Sequence, residues 1–79
     1  SRFKEIDMSI IKTAILVDSK GIPHVFNLIR CMGGYSFTWD GKDVDWSFTV
    51  HGYNKALWHF NFICEDVHEI NYMNSFVNG

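Results

Sequence analysis

The sequence predicts an α+β fold in which a five-strand antiparallel β-meander is covered on its apolar face by one C-terminal α-helix. Three observations predict it: several segments have a two-residue apolar period, turn-forming residues separate them, and the C-terminal segment has a helical apolar period. The 79 residues suit one small domain over positions 1–79, since chains divide into several domains only at greater lengths.

A β-branched segment and the turn after it predict the first two strands. Residues 11–17 are rich in Ile and Val, which favours a strand. Asp18 to Gly21 has the acid-first, glycine-last order of a type I turn followed by a left-handed residue. Residues 22–32 then return as the second strand. Pro23 followed by apolar residues at helical spacing also permits a helix there, so both interpretations of this segment stay open, with the strand favoured.

The third and fourth strands are predicted as a β-hairpin made of residues 35–40 and 44–50. Large side chains occupy the odd positions of the first segment and the even positions of the second, as in strands with one buried face. Residues 40–43 form the turn between them.

The parity of the hairpin predicts its register. Directly opposite residues share a face, so the connection should have two or four residues, and Phe37 should face Val44 or Trp46. The remaining side chains should point to water: Ser36, Thr38, Asp45, Ser47 and Thr49.

Residues 58–64 are predicted as the fifth strand, entered by a loop at residues 51–55. Trp58, Phe60, Phe62 and Cys64 alternate with the residues between them. A helix through this segment is the alternative, but it would leave Trp58 and Phe62 off its apolar face.

The C-terminal segment is predicted as a helix that begins after Asp66. Asp66 suits the N-cap position, and Glu69 completes a capping box by reaching back to the Asp66 amide. The apolar stripe that should pack on the sheet consists of Val67, Ile70, Met73 and Val77.

Composition argues against several function classes. Seven Lys and Arg residues against nine Asp and Glu give a net charge of −2, and the cations are scattered, which does not suit nucleic-acid binding. No apolar run approaches the roughly 20 residues of a membrane span, and no signal peptide is visible. Cys31 and Cys64 are expected to be reduced, core-directed thiols, which fits the cytoplasm.

No segment predicts catalysis, a cofactor or a metal site. Phosphate-binding glycine loops and common hydrolase or zinc motifs are missing from the sequence. Cys64 and His68 could share a zinc ion only if both lay in one helix. The acidic cluster at the hairpin tip has Gly41 after its first acid, which is the wrong order for a calcium loop.

Aromatic residues are the feature that stands out, and they favour a non-enzymatic protein-binding module. Three Trp, three Tyr and seven Phe exceed what so small a core needs, and Trp and Tyr are enriched at protein interfaces. The function expected first is a modulator or inhibitor of another protein, of the compact type common among phage- and plasmid-encoded proteins. The predicted partner-binding residues are Trp58, Tyr53, Trp39, Asp40, Asp43 and Asp45.

Two other functions remain as alternatives. The first is a homo-oligomeric structural subunit, such as a homodimer joined through a sheet edge, because a meander leaves two edge strands that can pair. The second is a small enzyme or ligand-binding domain that would use His51, His59 or the acidic tip. Of the three tryptophans, Trp58 is expected to be the exposed one.

Overall fold

The computed structural model describes residues 9–44 and 52–79, which form an antiparallel sheet of four strands and two helices that pack on it. The strands lie in the sheet in chain order, so the α+β class and the meander are confirmed. The elements are β1 (Ser9–Val17), β2 (Pro23–Cys31), β3 (Gly34–Trp39), β4 (Lys42–Asp43), α1 (Tyr53–Cys64) and α2 (Val67–Asn78).

Strands β1 and β2 form the predicted first hairpin, and the alternative helix at residues 22–32 is wrong. In the connecting turn the Gly21 amide donates to the Asp18 carbonyl at 2.9 Å. Gly21 has a φ of 82°, a left-handed conformation that glycine adopts without strain. The register places Val17 opposite Pro23, and a bulge interrupts the pairing between Ile10 and Lys12.

The second hairpin has a two-residue connection, one of the two lengths that the parity allowed, and strand β4 begins inside the predicted turn at residues 40–43. Trp39 lies opposite Lys42, and the connecting residues Asp40 and Gly41 have φ angles of 51° and 82°. Positive φ at both positions is what a type I′ hairpin turn requires. The Val44 amide donates to the Phe37 carbonyl at 3.1 Å, which continues the predicted register. The rest of the predicted fourth strand, including Trp46, lies outside the described residues.

One face assignment in this hairpin is wrong. Thr38 was expected to point to water but is buried. Its hydroxyl accepts a hydrogen bond from the Asn27 side-chain amide at 3.1 Å, so the polar atom is satisfied by a neighbouring strand instead of by solvent.

The predicted fifth strand at residues 58–64 is also wrong, because these residues belong to α1. Ala56, Phe60 and Ile63 recur at helical spacing and are the buried residues of this helix. The Phe60 ring stacks on the Phe26 ring of β2 with centroids 4.9 Å apart. The side chains whose exposure argued against a helix, Trp58 and Phe62, are indeed exposed.

The predicted C-terminal helix is confirmed as α2. The Asp66 side chain accepts a hydrogen bond from the His68 amide at 2.8 Å, so the predicted N-cap is correct. Ile70 and Met73 are buried, whereas Val67 at the start of the predicted stripe is exposed.

Both helices pack on the same face of the sheet and enclose the apolar core. The aromatic ring of Phe26 lies at its centre, since it stacks on Phe37 as well as on Phe60. The core cluster comprises Leu16, Phe26, Leu28, Phe37, Trp39, Val44, Ala56, Phe60, Ile63, Ile70 and Met73.

Candidate functional site

A buried histidine joins the two turns at one end of the sheet. His24 is the second residue of β2 and is only 6% exposed. Its Nε2 atom lies 2.8 Å from an Asp18 carboxylate oxygen, and its Nδ1 atom lies 2.7 Å from an Asp40 carboxylate oxygen. We call Asp18, His24 and Asp40 the Asp–His–Asp tie.

One oxygen of each tie carboxylate binds His24, and the other accepts hydrogen bonds from backbone amides. The second oxygen of Asp18 accepts hydrogen bonds from the amides of Lys20 and Ile22 at 2.8 and 3.0 Å. The second oxygen of Asp40 accepts from the Val25 amide at 2.8 Å. Asp is favoured in turns because its side chain can accept such local amide hydrogen bonds. For Asp18 this preference both forms the turn and aims the carboxylate at His24, whereas the Asp40 carboxylate is fixed by the Val25 amide of the neighbouring strand.

The electrostatics of the tie favour a charged imidazolium. Burial of the ring acts to lower the pKa of His24, but the hydrogen bonds to Asp18 and Asp40 outweigh it and raise that pKa above 6.5. The pKa of Asp18 is lowered, first by the hydrogen bond from His24. Burial acts to raise the pKa of Asp40, but its hydrogen bonds from His24 and Val25 lower it overall.

The geometry suits a structural connection better than proton transfer or metal binding. Both ring nitrogens of the imidazolium donate to carboxylates, so His24 has no free lone pair to act as a base. The carboxylates bind opposite edges of the ring and do not converge on one point. Within 9–44 and 52–79, no group of three His, Cys, Asp or Glu side chains could hold a metal ion. Elsewhere, burial raises the pKa of the Cys64 thiol, which does not favour a nucleophile.

Trp39 links the tie to the second helix. Its ring stacks on the His24 ring with centroids 5.0 Å apart, and its indole N–H donates to the Asn74 side-chain oxygen at 3.3 Å. With no exposed surface, Trp39 satisfies its polar atom inside the fold.

Three asparagines of α2 make hydrogen bonds to residues in or beside the two hairpin turns. Asn71 accepts from the Ser19 amide at 3.1 Å, and Asn78 accepts from the Lys42 ammonium at 2.6 Å. Asn74 accepts from Asn78 at 2.9 Å as well as from Trp39. We call Asn71, Asn74 and Asn78 the asparagine seam.

A polar cleft of about 430 Å³ lies between the first turn and α2. It is lined by Asp18, Ser19, Lys20, Ile22, Asn71, Asn74 and Ser75. Because several of these residues belong to the tie or the seam, the cleft is bounded by groups that already support the fold.

The outer surfaces of the helices each carry a stacked pair of aromatic rings. On α1, the rings of Trp58 and Phe62 stack with centroids 5.4 Å apart and planes within 6°. On α2, Tyr72 and Phe76 stack at 6.0 Å and 23°. Both pairs are four residues apart, which aligns them along one side of a helix. Trp58 is 60% exposed, and the other three rings are each about half exposed. We call these four residues the outer aromatic pairs.

The predicted partner-binding residues fall into different environments. Trp58 and Tyr53 are exposed on α1, and the Tyr53 ring leans against Tyr35. Trp39 is in the core, where a partner cannot reach it, so its assignment to a binding surface is corrected. The Asp40 carboxylate belongs to the tie, and Asp43 is exposed on β4.

The remaining predicted residue, Asp45, lies outside the described residues. His24, the asparagine seam and three of the outer aromatic residues were not predicted as site residues. A signal for His24 exists in the sequence: it shares the two-residue period of Phe26 and Leu28 and must therefore face the core. A polar residue at such a position needs buried partners.

Comparisons with known proteins add no family to these observations: no family model matches the sequence, and no curated protein or solved structure gives a significant match. In the parts of the chain that the structure describes, no helix is long and apolar enough to cross a membrane.

Proposed function

We propose that this chain is a small non-enzymatic protein-binding module that modulates or inhibits another protein. The observation that carries the proposal is the presence of the outer aromatic pairs on the solvent side of both helices. Large exposed rings mark interaction sites more often than isolated exposed aliphatic side chains do.

The stacking of these rings favours binding. A Trp or Tyr side chain can bury roughly 150–250 Å², and rings that are already stacked lose less side-chain freedom when a partner covers them. Trp and Tyr are also the residues most often found among binding hot spots. Trp58 and Tyr72 are therefore the residues that we expect to contribute most to affinity.

Charge on the helical part of the chain indicates the kind of partner. Residues 52–79 carry one cation, Lys55, against three acids, Glu65, Asp66 and Glu69. Glu69 lies three residues before Tyr72 on the same side of α2, and Glu65, the C-cap residue of α1, follows Phe62 by three residues. A partner with an apolar centre and a basic rim would complement this surface.

A cytoplasmic location is part of the proposal. Cys31 and Cys64 are free thiols and both are half-buried, a pattern more common in reducing compartments than in secreted domains.

The experiment is affinity capture with matched baits, followed by titration calorimetry on the purified captured protein. The baits are the wild type, Trp58→Ala, Tyr72→Ala and the double variant. Asn54→Ala and Ser75→Ala are the controls, since both replace exposed polar residues on the same helices. We expect each aromatic variant to weaken binding by about 2 kcal/mol or more, while the controls bind like the wild type. Equal binding by the double variant and the wild type would contradict the proposal.

A further inference from the structure

Strand β1 is a long strand at the edge of the sheet. It spans Ser9–Val17 and pairs with β2 on one side; among residues 9–44 and 52–79, no strand pairs with its other side. Within the described residues, the opposite edge strand, β4, covers Lys42–Asp43. Long edge strands expose backbone hydrogen-bonding groups that can pair with another chain.

Two hydrogen bonds establish which backbone groups of β1 point outward. The Asp18 amide donates to the Ile22 carbonyl, so the backbone of Asp18 faces β2. In an antiparallel pair the hydrogen-bonding direction alternates along the strand. Leu16 and Ala14 therefore face β2, and the amides and carbonyls of Thr13, Ile15 and Val17 face away from it.

The second hydrogen bond gives the same result from the neighbouring strand. The Asp40 amide donates to the Val25 carbonyl, so the backbone of Val25 faces β3. Ile15 lies opposite Val25 in the register, and residues opposite each other in a non-hydrogen-bonded pair both direct their backbone groups away from the shared ladder.

The outward part of β1 lacks the usual protection of an edge strand. Residues 13–17 contain no charge, proline or glycine, the composition that favours strand pairing between chains. Ile15 is 61% exposed. The bulge lies before this segment, and the ammonium of Lys12 extends over the Phe60 ring on the helix side. Neither the bulge nor the Lys12 side chain therefore protects residues 13–17 from pairing with another strand.

We propose that two copies of this chain pair through β1 in an antiparallel, two-fold symmetric arrangement centred on Ile15, which joins their sheets into one. In this register Ile15 faces Ile15 of the second copy, and Thr13 faces Val17. Each outward residue then exchanges both backbone hydrogen bonds with its partner, for a total of about six.

A second copy is the occupant that the strand itself favours. The central segment is uncharged, and the first charged residues on either side, Lys12 and Asp18, have opposite signs, so this register brings no like charges opposite each other. Like charges directly opposite each other would oppose pairing, and the Asp18 carboxylate stays bound to His24. Centring the pair on Thr13 instead would place Ile15 against the bulged segment at Ile11, where the strand is distorted.

This pairing is independent of the proposed partner binding. The outer aromatic pairs lie on the helices and contribute nothing to the β1 ladder, so a dimer would present two copies of that surface. A bivalent arrangement raises the apparent affinity for a partner that offers two sites.

Hydrogen exchange of the wild-type protein tests the pairing without any substitution. The protein exchanges at concentrations from about 1 µM to about 1 mM, a range that brackets weak dimers. The exchange of individual amides is then read by NMR. We expect the amides of Thr13, Ile15 and Val17 to become protected as concentration rises, while those of Ala14 and Leu16 are protected throughout. A strict monomer by light scattering, with no concentration dependence at these three amides, would overturn the proposal.

Charge substitutions at Ile15 test the register. Ile15→Lys and Ile15→Glu should each weaken self-association roughly tenfold, because each places like charges opposite each other. An equimolar mixture of the two should restore the dimer as a heterodimer. This recovery requires that residue 15 of one copy faces residue 15 of the other, so failure to recover would contradict the two-fold pairing.

Val25→Lys is the matched control. Val25 is opposite Ile15 on the same face and is 41% exposed, but its backbone faces β3. Edge pairing predicts that this variant associates like the wild type. An equal loss in Val25→Lys would mean that the sheets stack through their faces, and would refute pairing through β1. Trp58→Ala should keep the dimer, and Ile15→Lys should keep the affinity of each single site for the partner, so the two proposals fail separately.

Discussion

Trp39 and Trp58 show how differently the two sides of this molecule use the same side chain. Trp39 lies between the sheet and α2 with no exposed surface, stacks on His24 and donates to Asn74. Trp58 lies on the outer side of α1 at 60% exposure and stacks on Phe62. Both rings have an aromatic neighbour, and the indole N–H of the inner ring also donates to a side chain of α2.

Stacking alone therefore does not distinguish a core ring from a surface ring. The inner ring is fixed by apolar contacts and a satisfied polar atom together, which makes it part of the folded state. The outer rings stack on each other and Trp58 also meets the edge of the His59 ring, but Trp58 and Phe62 stay 60% and 45% exposed in the isolated chain. Stability should therefore depend on the inner region, and binding should depend on the outer one.

The largest expected effect is that of Trp39→Ala. Truncating a buried Trp costs about 3–5 kcal/mol, which is a large part of the stability of so small a domain. Trp58→Ala is the control and should change the free energy of unfolding by less than about 1.5 kcal/mol. Denaturant melts of the two variants measure this. Comparable losses in both would remove the distinction between the inner and outer regions.

The next effect is the pH dependence of stability that the tie confers. The raised pKa of His24 contributes stability that is complete below 6.5 and is lost as pH rises through the folded-state value. The lowered pKa values of Asp18 and Asp40 contribute stability that is complete above 3.8 and is lost as pH falls through their folded-state values. The free energy of unfolding should therefore be greatest between these limits.

His24→Gln should lower that maximum by about 1–3 kcal/mol, because a buried charged partner is lost, and should remove the decline on the alkaline side. His68→Gln is the control, since His68 is exposed on α2. Urea melts across a pH series give both quantities. An unchanged alkaline decline in His24→Gln would assign the titration to another group.

A smaller effect is expected for Asn74→Ala. The substitution leaves the indole N–H of Trp39 without its acceptor, which should cost about 1 kcal/mol, typical of one hydrogen bond. Asn54→Ala, an exposed asparagine on α1, should cost much less. Thermal melts compare the two. Equal effects would show that the contact between Trp39 and Asn74 does not contribute to stability.

The smallest effect is expected at Asp43. Asp43→Asn should change stability by no more than about 0.5 kcal/mol, as for ordinary surface positions, because the residue is exposed on the short strand β4. Association with a basic partner should slow if this acid helps to attract it. Stopped-flow kinetics at two salt concentrations would measure the association rate constants. Equal rate constants for the wild type and Asp43→Asn would show that Asp43 does not help to attract the partner.

Local rules were sufficient to predict much of the sheet. Asp18 and Gly21 defined the first turn, the parity of large residues limited the second connection to two or four residues, and Asp66 predicted the start of α2. Each of these depends on interactions within a few residues, which sequence patterns record directly.

Helix α1 was missed because its sequence satisfies two periods. Phe60 and Ile63 follow the helical period, while Trp58, Phe60 and Phe62 also follow the strand period. The helix was rejected on the assumption that large aromatics are buried, and that assumption fails where they form an exposed surface.

The candidate site was harder to predict because its parts are distant in the chain. Asp18 and Asp40 were recognised as turn residues, but nothing local shows that one histidine lies between them. Their meeting depends on the register of both hairpins together, which is a tertiary property.

The Asp–His–Asp tie also makes folding a proton-uptake reaction. At a pH between the ordinary pKa of histidine and the raised value in the folded chain, the native state holds a proton on His24 that the unfolded chain has released. That proton must come from the buffer when the chain folds. The heat of unfolding measured in a calorimeter should therefore differ between phosphate and an amine buffer at the same pH. When that heat is plotted against the ionisation enthalpy of the buffer, the slope gives the number of protons that the chain releases on unfolding.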